Sequence, residues 1–130
     1  MNTKIRTLIV DDSEQAREFI RVYLQREPRI EVLGAAHDGH QGVEMESRLK
    51  PDLVVMDIHM PAMDGLQATR LIKARPDAPR LIVVSFDDDD HRRSAARAAG
   101  ADGFCSKSQI ASTLMPMIRG LFPEPPPAKQ

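Results

Sequence analysis

The stretch Leu53-Val54-Val55-Met56-Asp57 decides the fold. Four apolar residues run without a polar break and then stop at an acid. The run is too short for a helix and lacks the alternation of a half-exposed strand. It reads as a strand covered on both faces, as in the interior of a parallel sheet. Thr7-Leu8-Ile9-Val10 and Leu81-Ile82-Val83-Val84 repeat the pattern, and Ile30 to Ala36 and Asp102 to Cys105 are weaker strand candidates.

Helical spacing fills the intervals. Ala16, Phe19, Ile20, Tyr23 and Leu24 recur along one helix face, Leu66, Thr69 and Ile72 along another, and Ile110, Leu114, Met117 and Ile118 along a third. Val43, Glu46 and Leu49 mark a less regular helix. The Ala-rich stretch from Asp88 to Ala99 ends at Gly100, a residue suited to a left-handed cap. Pro116 lies inside the last helical pattern, and a kink or early loss of helix is expected there. A five-fold strand–helix alternation predicts an α/β fold with a parallel sheet and helices on both faces. The Pro-rich end, residues 123–130, reads as an extended tail or the start of a linker after a domain spanning 1–122.

Composition excludes several classes. The 130 residues fit one domain, and a net charge of -1 gives no pull toward nucleic acid or an anionic membrane. The single cysteine, Cys105, forbids an internal disulfide and reads as a small buried hydrophobe. No apolar run approaches the roughly 20 residues of a membrane span, and a cytoplasmic protein is expected.

Each strong apolar run ends in a group able to hold metal or phosphate. Val10 leads to Asp11-Asp12, Met56 to Asp57, and Val84 to Ser85, while the last strand leads to Ser106-Lys107. Open parallel sheets bind ligands beyond the carboxyl ends of the strands, where strand order reverses. With order 2-1-3-4-5 the first and third strands meet at that point, so Asp11, Asp12 and Asp57 share one crevice, and Ser85 and Lys107 arrive from the strands beyond. At ~5 Å and an effective dielectric of ~20, each pair of carboxylates costs about 3 kcal/mol. A hard divalent cation removes that repulsion. One carboxylate can then serve as a nucleophile toward phosphorus, with Lys107 and Ser85 bonding the same phosphoryl group.

These residues give the chain its resemblance to response-regulator receiver domains, over roughly residues 4 to 121. The motifs are Asp11-Asp12, Asp57 within Val55-Met56-Asp57-Ile58-His59-Met60-Pro61, Asp64-Gly65, Ser85, and Lys107 preceded by Gly103-Phe104. The resemblance implies a flavodoxin-like doubly wound sheet and a signalling switch rather than an enzyme. It implies that Asp57 accepts a phosphoryl group from a sensor histidine kinase or phosphotransfer protein. Mg²⁺ (or Mn²⁺) would be bound by Asp12, Asp57 and the His59 backbone carbonyl, with Asp11 acting through water. Ser85 and Phe104 would form a two-position switch. A downstream protein or a second copy would dock on residues 88–121, and neither nucleic acid nor membrane is an expected partner.

Three positions depart from the commonest pattern. Ser108 follows Lys107 where proline is frequent, removing the usual reason for a cis bond. Phe86 follows Ser85 where a small residue is frequent, which narrows access to Asp57. Phe104 replaces tyrosine, leaving the switch ring without a hydroxyl. The alternatives are a pseudo-receiver that is never phosphorylated and an aspartyl-phosphate phosphohydrolase; the latter needs an acid two residues after the nucleophile, where this chain has His59.

Singly, the same residues have plainer readings. Asp12 and Ser13 suit a helix cap, and Asp87 to Asp90 a solvated acidic run ahead of a helix. Arg92, Arg93 and Arg97, with no interleaved aromatics, make a basic helix rather than a nucleic-acid patch. His37, His40 and His91 lack metal-ligand spacing. The coincidence at four strand ends is what separates the site residues from such readings.

Overall fold

A computed structural model describes residues 4–87 and 89–124. Strands β1 (Ile5–Val10), β2 (Ile30–Ala36), β3 (Leu53–Asp57), β4 (Arg80–Ser85) and β5 (Gly103–Ser106) alternate with helices α1 (Glu14–Leu24), α2 (Gly39–Leu49), α3 (Gly65–Lys73), α4 (Asp90–Ala98) and α5 (Ile110–Leu121). The sheet is wholly parallel in the order β2-β1-β3-β4-β5. This is the doubly wound architecture the sequence pattern predicts.

The pleat sorts each apolar run between two cores. Ile9, Val55, Ile82 and Val84 pack with Ile20 and Leu24 of α1 and Leu114 and Ile118 of α5. Leu8, Val10, Val54, Met56, Leu81 and Val83 pack on the opposite face with Ala68 and Ile72 of α3 and Ala96 of α4. The inner strands are therefore apolar at successive positions, and the first polar residue after each run emerges at the sheet's carboxyl edge.

Local chemistry starts and stops the helices. Ser13 caps α1 by accepting the Ala16 N–H, and Asp64 and Gln67 form a reciprocal capping box on α3. Asp89 accepts the Arg92 N–H at the start of α4, and Gly100 follows that helix at φ +103°. The Asp64-Gly65 pair has a steric basis as well. A Cβ at Gly65 would lie 1.9 Å from the Asp57 carbonyl oxygen, so only glycine lets α3 begin this close to the end of β3.

Some expectations need correction. The early loss of helix expected at Pro116 does not occur, and α5 continues to Leu121. Pro116 lies on the exposed side, where water can reach the Ser112 carbonyl that has lost its i+4 donor, while Leu114, Met115 and Ile118 anchor the buried side. Phe19 was expected on the buried face of α1 but is 53% exposed, because the helix turns Ile20, Tyr23 and Leu24 to the sheet. β5 ends one residue later than expected, at Ser106. The Pro-rich stretch lies outside the described residues from 125 onward, as does Asp88. Among the described residues, no helix is long and apolar enough to cross a membrane.

Candidate functional site

β1 delivers Asp11 to the carboxyl edge, where its N–H donates to the Ala36 carbonyl at 3.0 Å. Its Oδ1 accepts the Ser13 N–H at 2.9 Å, and its carbonyl accepts Arg17 Nη1 at 2.8 Å. Asp57, the last residue of β3, stands beside it. Asp11 is wholly buried, Asp57 nearly so, and Asp12 exposed. Ligand oxygens of these three carboxylates lie within 4.8 Å of one another. Lys107, just past β5, reaches into the group. Its Nζ is 2.8 Å from Asp11 Oδ2 and 3.1 Å from Asp57 Oδ1.

The electrostatics follow from this crowding. Burial pushes the Asp57 carboxyl up, the Asp11 charge adds to the effect, and Lys107 only partly opposes it, leaving the pKa at about 6. Burial works to lower the Lys107 pKa, but bonding to Asp11 and the charges of Asp57 and Asp11 leave it raised.

Three carboxylates face one ammonium. Asp11 Oδ2 is buried against the Lys107 ammonium at 2.8 Å, which it shares with Asp57. An all-oxygen donor set with excess negative charge fits a hard divalent cation such as Mg²⁺.

Ser85 and His59 lie on the strand end and the loop next to this centre. Ser85 ends β4, is fully buried, and accepts the Asp87 N–H at 3.0 Å. Asp57 pairs in register with Val84, so Ser85 stands one residue further along the neighbouring strand. His59 lies in the loop after β3, and its Nε2 meets Asp87 Oδ2 at 2.8 Å. Phe86 is 72% exposed, with Lys107 Nζ 5.1 Å from its ring centroid. Phe104 is not at the carboxylate cluster. It pairs with Val83 inside β5 and packs on the core face shared with α3 and α4. The Arg93 guanidinium lies 4.9 Å from its ring centroid. No cis peptide bond occurs among the described residues, so the Lys107–Ser108 bond is trans.

Asp87 reads in the sequence both as part of an acidic run ahead of a helix and, two residues after Ser85, as a partner of His59 near the acceptor. In the structure it bridges His59 and, at 3.6 Å, Arg92, while Asp89 supplies the cap. Arg17 gives no signal in the sequence, because a helical arginine six residues after Asp11 looks like any solvated one.

The chain matches the family model described as "Response regulator receiver domain" over residues 7–119. It is 36% identical over 115 residues to the transcriptional regulatory protein LiaR of Bacillus subtilis (strain 168), a match covering 88% of this chain and 54% of LiaR. It is 44% identical over 105 residues to a protein-glutamate methylesterase/protein-glutamine glutaminase of Alkalilimnicola ehrlichii, covering 80% of this chain and 27% of that protein. The chain thus spans about half, or less, of these relatives. Among solved structures, the response regulator domain of Thermotoga maritima CheB superposes with a TM-score of 0.84 at 33% identity, covering 95% of this chain and 99% of that one. A LuxR-family two-component response regulator from Aurantimonas sp. SI85-9A1 gives 0.86 at 29% identity, covering 92% and 85%. With the fold, the strand-end carboxylates and these likenesses in agreement, the chain belongs to the receiver domains of two-component response regulators.

Proposed function

We propose that this domain is a switch set by phosphorylation of Asp57. The observation that carries the reading is the ion-paired centre itself: Asp57 and Asp11 share Lys107, with Asp12 in reach of both. In this reading Asp57 Oδ attacks the phosphorus of a phosphohistidine on a sensor kinase or phosphotransfer protein. The new O–P bond forms as the P–N bond breaks, and the imidazole leaves with the bonding pair and takes a proton from solvent. Lys107 then pairs with the phosphoryl oxygens, and Ser85 donates its hydroxyl to one of them. Asp12, Asp57, the His59 carbonyl and, through water, Asp11 are the residues that would hold Mg²⁺ or Mn²⁺. The bound ion would offset the carboxylate charge and draw electron density from the phosphoryl oxygens.

Output follows from the same geometry. Ser85 leaves the Asp87 N–H for the phosphoryl group, and the Phe104 ring turns inward from beneath Arg93. Within the expected 88–121 surface, a groove of about 260 Å³ runs between α4, β5 and α5, with Arg93 and Arg97 beside Phe104 and Met117. Its basic rim suits an acidic segment of a downstream protein or of a second copy. The names of the relatives cover both transcriptional regulation and methylesterase activity, so the receiver is their shared part and does not fix the output. In this reading the domain works in the cytoplasm, where phosphoryl donors of this class act.

The test is labelling by a small acyl phosphate with Mg²⁺, followed by intact-mass spectrometry. Wild type gains one phosphoryl mass and Asp57→Asn does not. Equal labelling of the Asn variant rejects Asp57 as acceptor; no labelling of wild type favours a pseudo-receiver.

A further inference from the structure

We propose that Arg17 is a positioning residue for the metal-binding loop, fixing the Asp11–Asp12 peptide so that the Asp12 carboxylate stays with those of Asp11 and Asp57. The inference rests on the proposed function above and concerns a residue outside the carboxylate set. Asp11 is restrained at its N–H by Ala36, at Oδ1 by Ser13, and at Oδ2 by the Lys107 charge. None of these contacts acts on its carbonyl, which Arg17 Nη1 takes from the first turns of α1 at 2.8 Å. A peptide unit is planar, so holding the Asp11 carbonyl also sets the direction of the Asp12 N–H and Cα. Asp12 is exposed and gains little direction from packing, yet one of its oxygens lies within 4.8 Å of both neighbouring carboxylates. Its approach is therefore dictated by its backbone.

α1 is well placed to supply that restraint. Its cap, Ser13, is also the residue whose N–H binds Asp11 Oδ1, and the Arg17 N–H donates to the Ser13 carbonyl at 2.9 Å. Helix start, loop and Asp11 thus form one hydrogen-bonded unit, with the Arg17 guanidinium as its outer tie.

The sign of the effect separates positioning from simple charge. Arg17 brings a positive charge toward a site suited to a divalent cation. On Coulomb grounds alone, neutralising it tightens Mg²⁺ binding, and that gain fades with added salt. If Arg17 positions the loop, neutralising it weakens binding, and the loss persists in salt. Groups that orient metal ligands typically contribute about tenfold or more to affinity.

The experiment is calorimetric titration of Mg²⁺ into the full chain at low and high ionic strength, for wild type, Arg17→Met, Arg17→Gln and Arg17→Lys. The Met and Gln variants are expected to bind about tenfold more weakly at both salt concentrations. Lys, which keeps a donor and the charge, is expected to recover part of the loss. Should Met fail to fold, Gln carries the comparison. Unchanged or tighter binding in the neutral variants overturns the positioning role. Wild type that binds no Mg²⁺ at all overturns the proposed function instead, so the two failures are distinct.

Discussion

Asp57 keeps its proton to about pH 6, above the 3.8 of an ordinary aspartate, because burial and Asp11 outweigh Lys107. In the unfolded chain that perturbation is lost. Between about pH 4 and 6 the folded state binds more protons than the unfolded state, so this group's contribution to stability falls as pH rises through that window. Asp57→Asn removes the penalty. In metal-free buffer the variant is expected to be more stable than wild type at pH 8 by on the order of 2 kcal/mol, with the gap closing toward about pH 4. Urea denaturation across this range checks it, and a gap independent of pH would contradict the assignment. Millimolar Mg²⁺ should also narrow the gap, by stabilising wild type through mass action. At the same scale, we propose that Phe86 shields the acyl phosphate of the proposed switch from water. Its ring stands at the rim with Lys107 Nζ 5.1 Å from the centroid. Phe86→Ala is expected to shorten the phosphoryl lifetime several-fold, as read from loss of the added mass over time. An equal or longer lifetime would remove Phe86 from that role.

At the scale of elements, α3 starts against the carbonyl of the proposed acceptor. Gly65 donates its N–H to the Ile58 carbonyl at 2.9 Å and leaves no room for a side chain. The contact at 1.9 Å from an added Cβ is with backbone, which cannot swing away. Gly65→Ala is therefore expected to cost about 3 kcal/mol or more, or to displace the loop carrying His59. Thermal unfolding measures the first outcome, and weakened Mg²⁺ binding reports the second. A variant with wild-type stability and affinity would show that the α3 start has slack. Pro116 shows the opposite case: a residue that disfavours helix is accommodated because the Ser112 carbonyl it leaves without a donor lies on the exposed side and the buried side holds firm.

At the scale of the whole molecule, the proposed signal must cross from the carboxylate cluster to the α4–β5–α5 face. The route available is Ser85, its bond to the Asp87 N–H, and the Phe104 ring under Arg93. Moving a population from almost wholly inactive to almost wholly active takes about 5.5 kcal/mol of differential stabilisation. The ion pairs gained by Lys107 and the bound cation are the candidate source. Amide NMR spectra recorded with beryllofluoride and Mg²⁺ are expected to change both around Asp57 and across residues 89–121. Changes confined to the Asp57 loop would mean that nothing is transmitted to this face.

The sequence by itself determined the sheet, its two buried faces and the strand-end positions of Asp11, Asp12, Asp57, Ser85 and Lys107. Strand burial and helix periodicity are local patterns, and a doubly wound sheet leaves the carboxyl edge as the place for polar residues. The tertiary structure decided what depends on residues distant along the chain. It made one ammonium bridge Asp11 and Asp57, joined His59 to Asp87, and set Phe104 beneath Arg93. Such contacts arise from how helices and loops pack over the sheet, and no local spacing encodes them. Packing also overruled two local expectations, exposing Phe19 and carrying α5 through Pro116, because burial on the opposite side of each helix supplies more energy than either residue alone withholds.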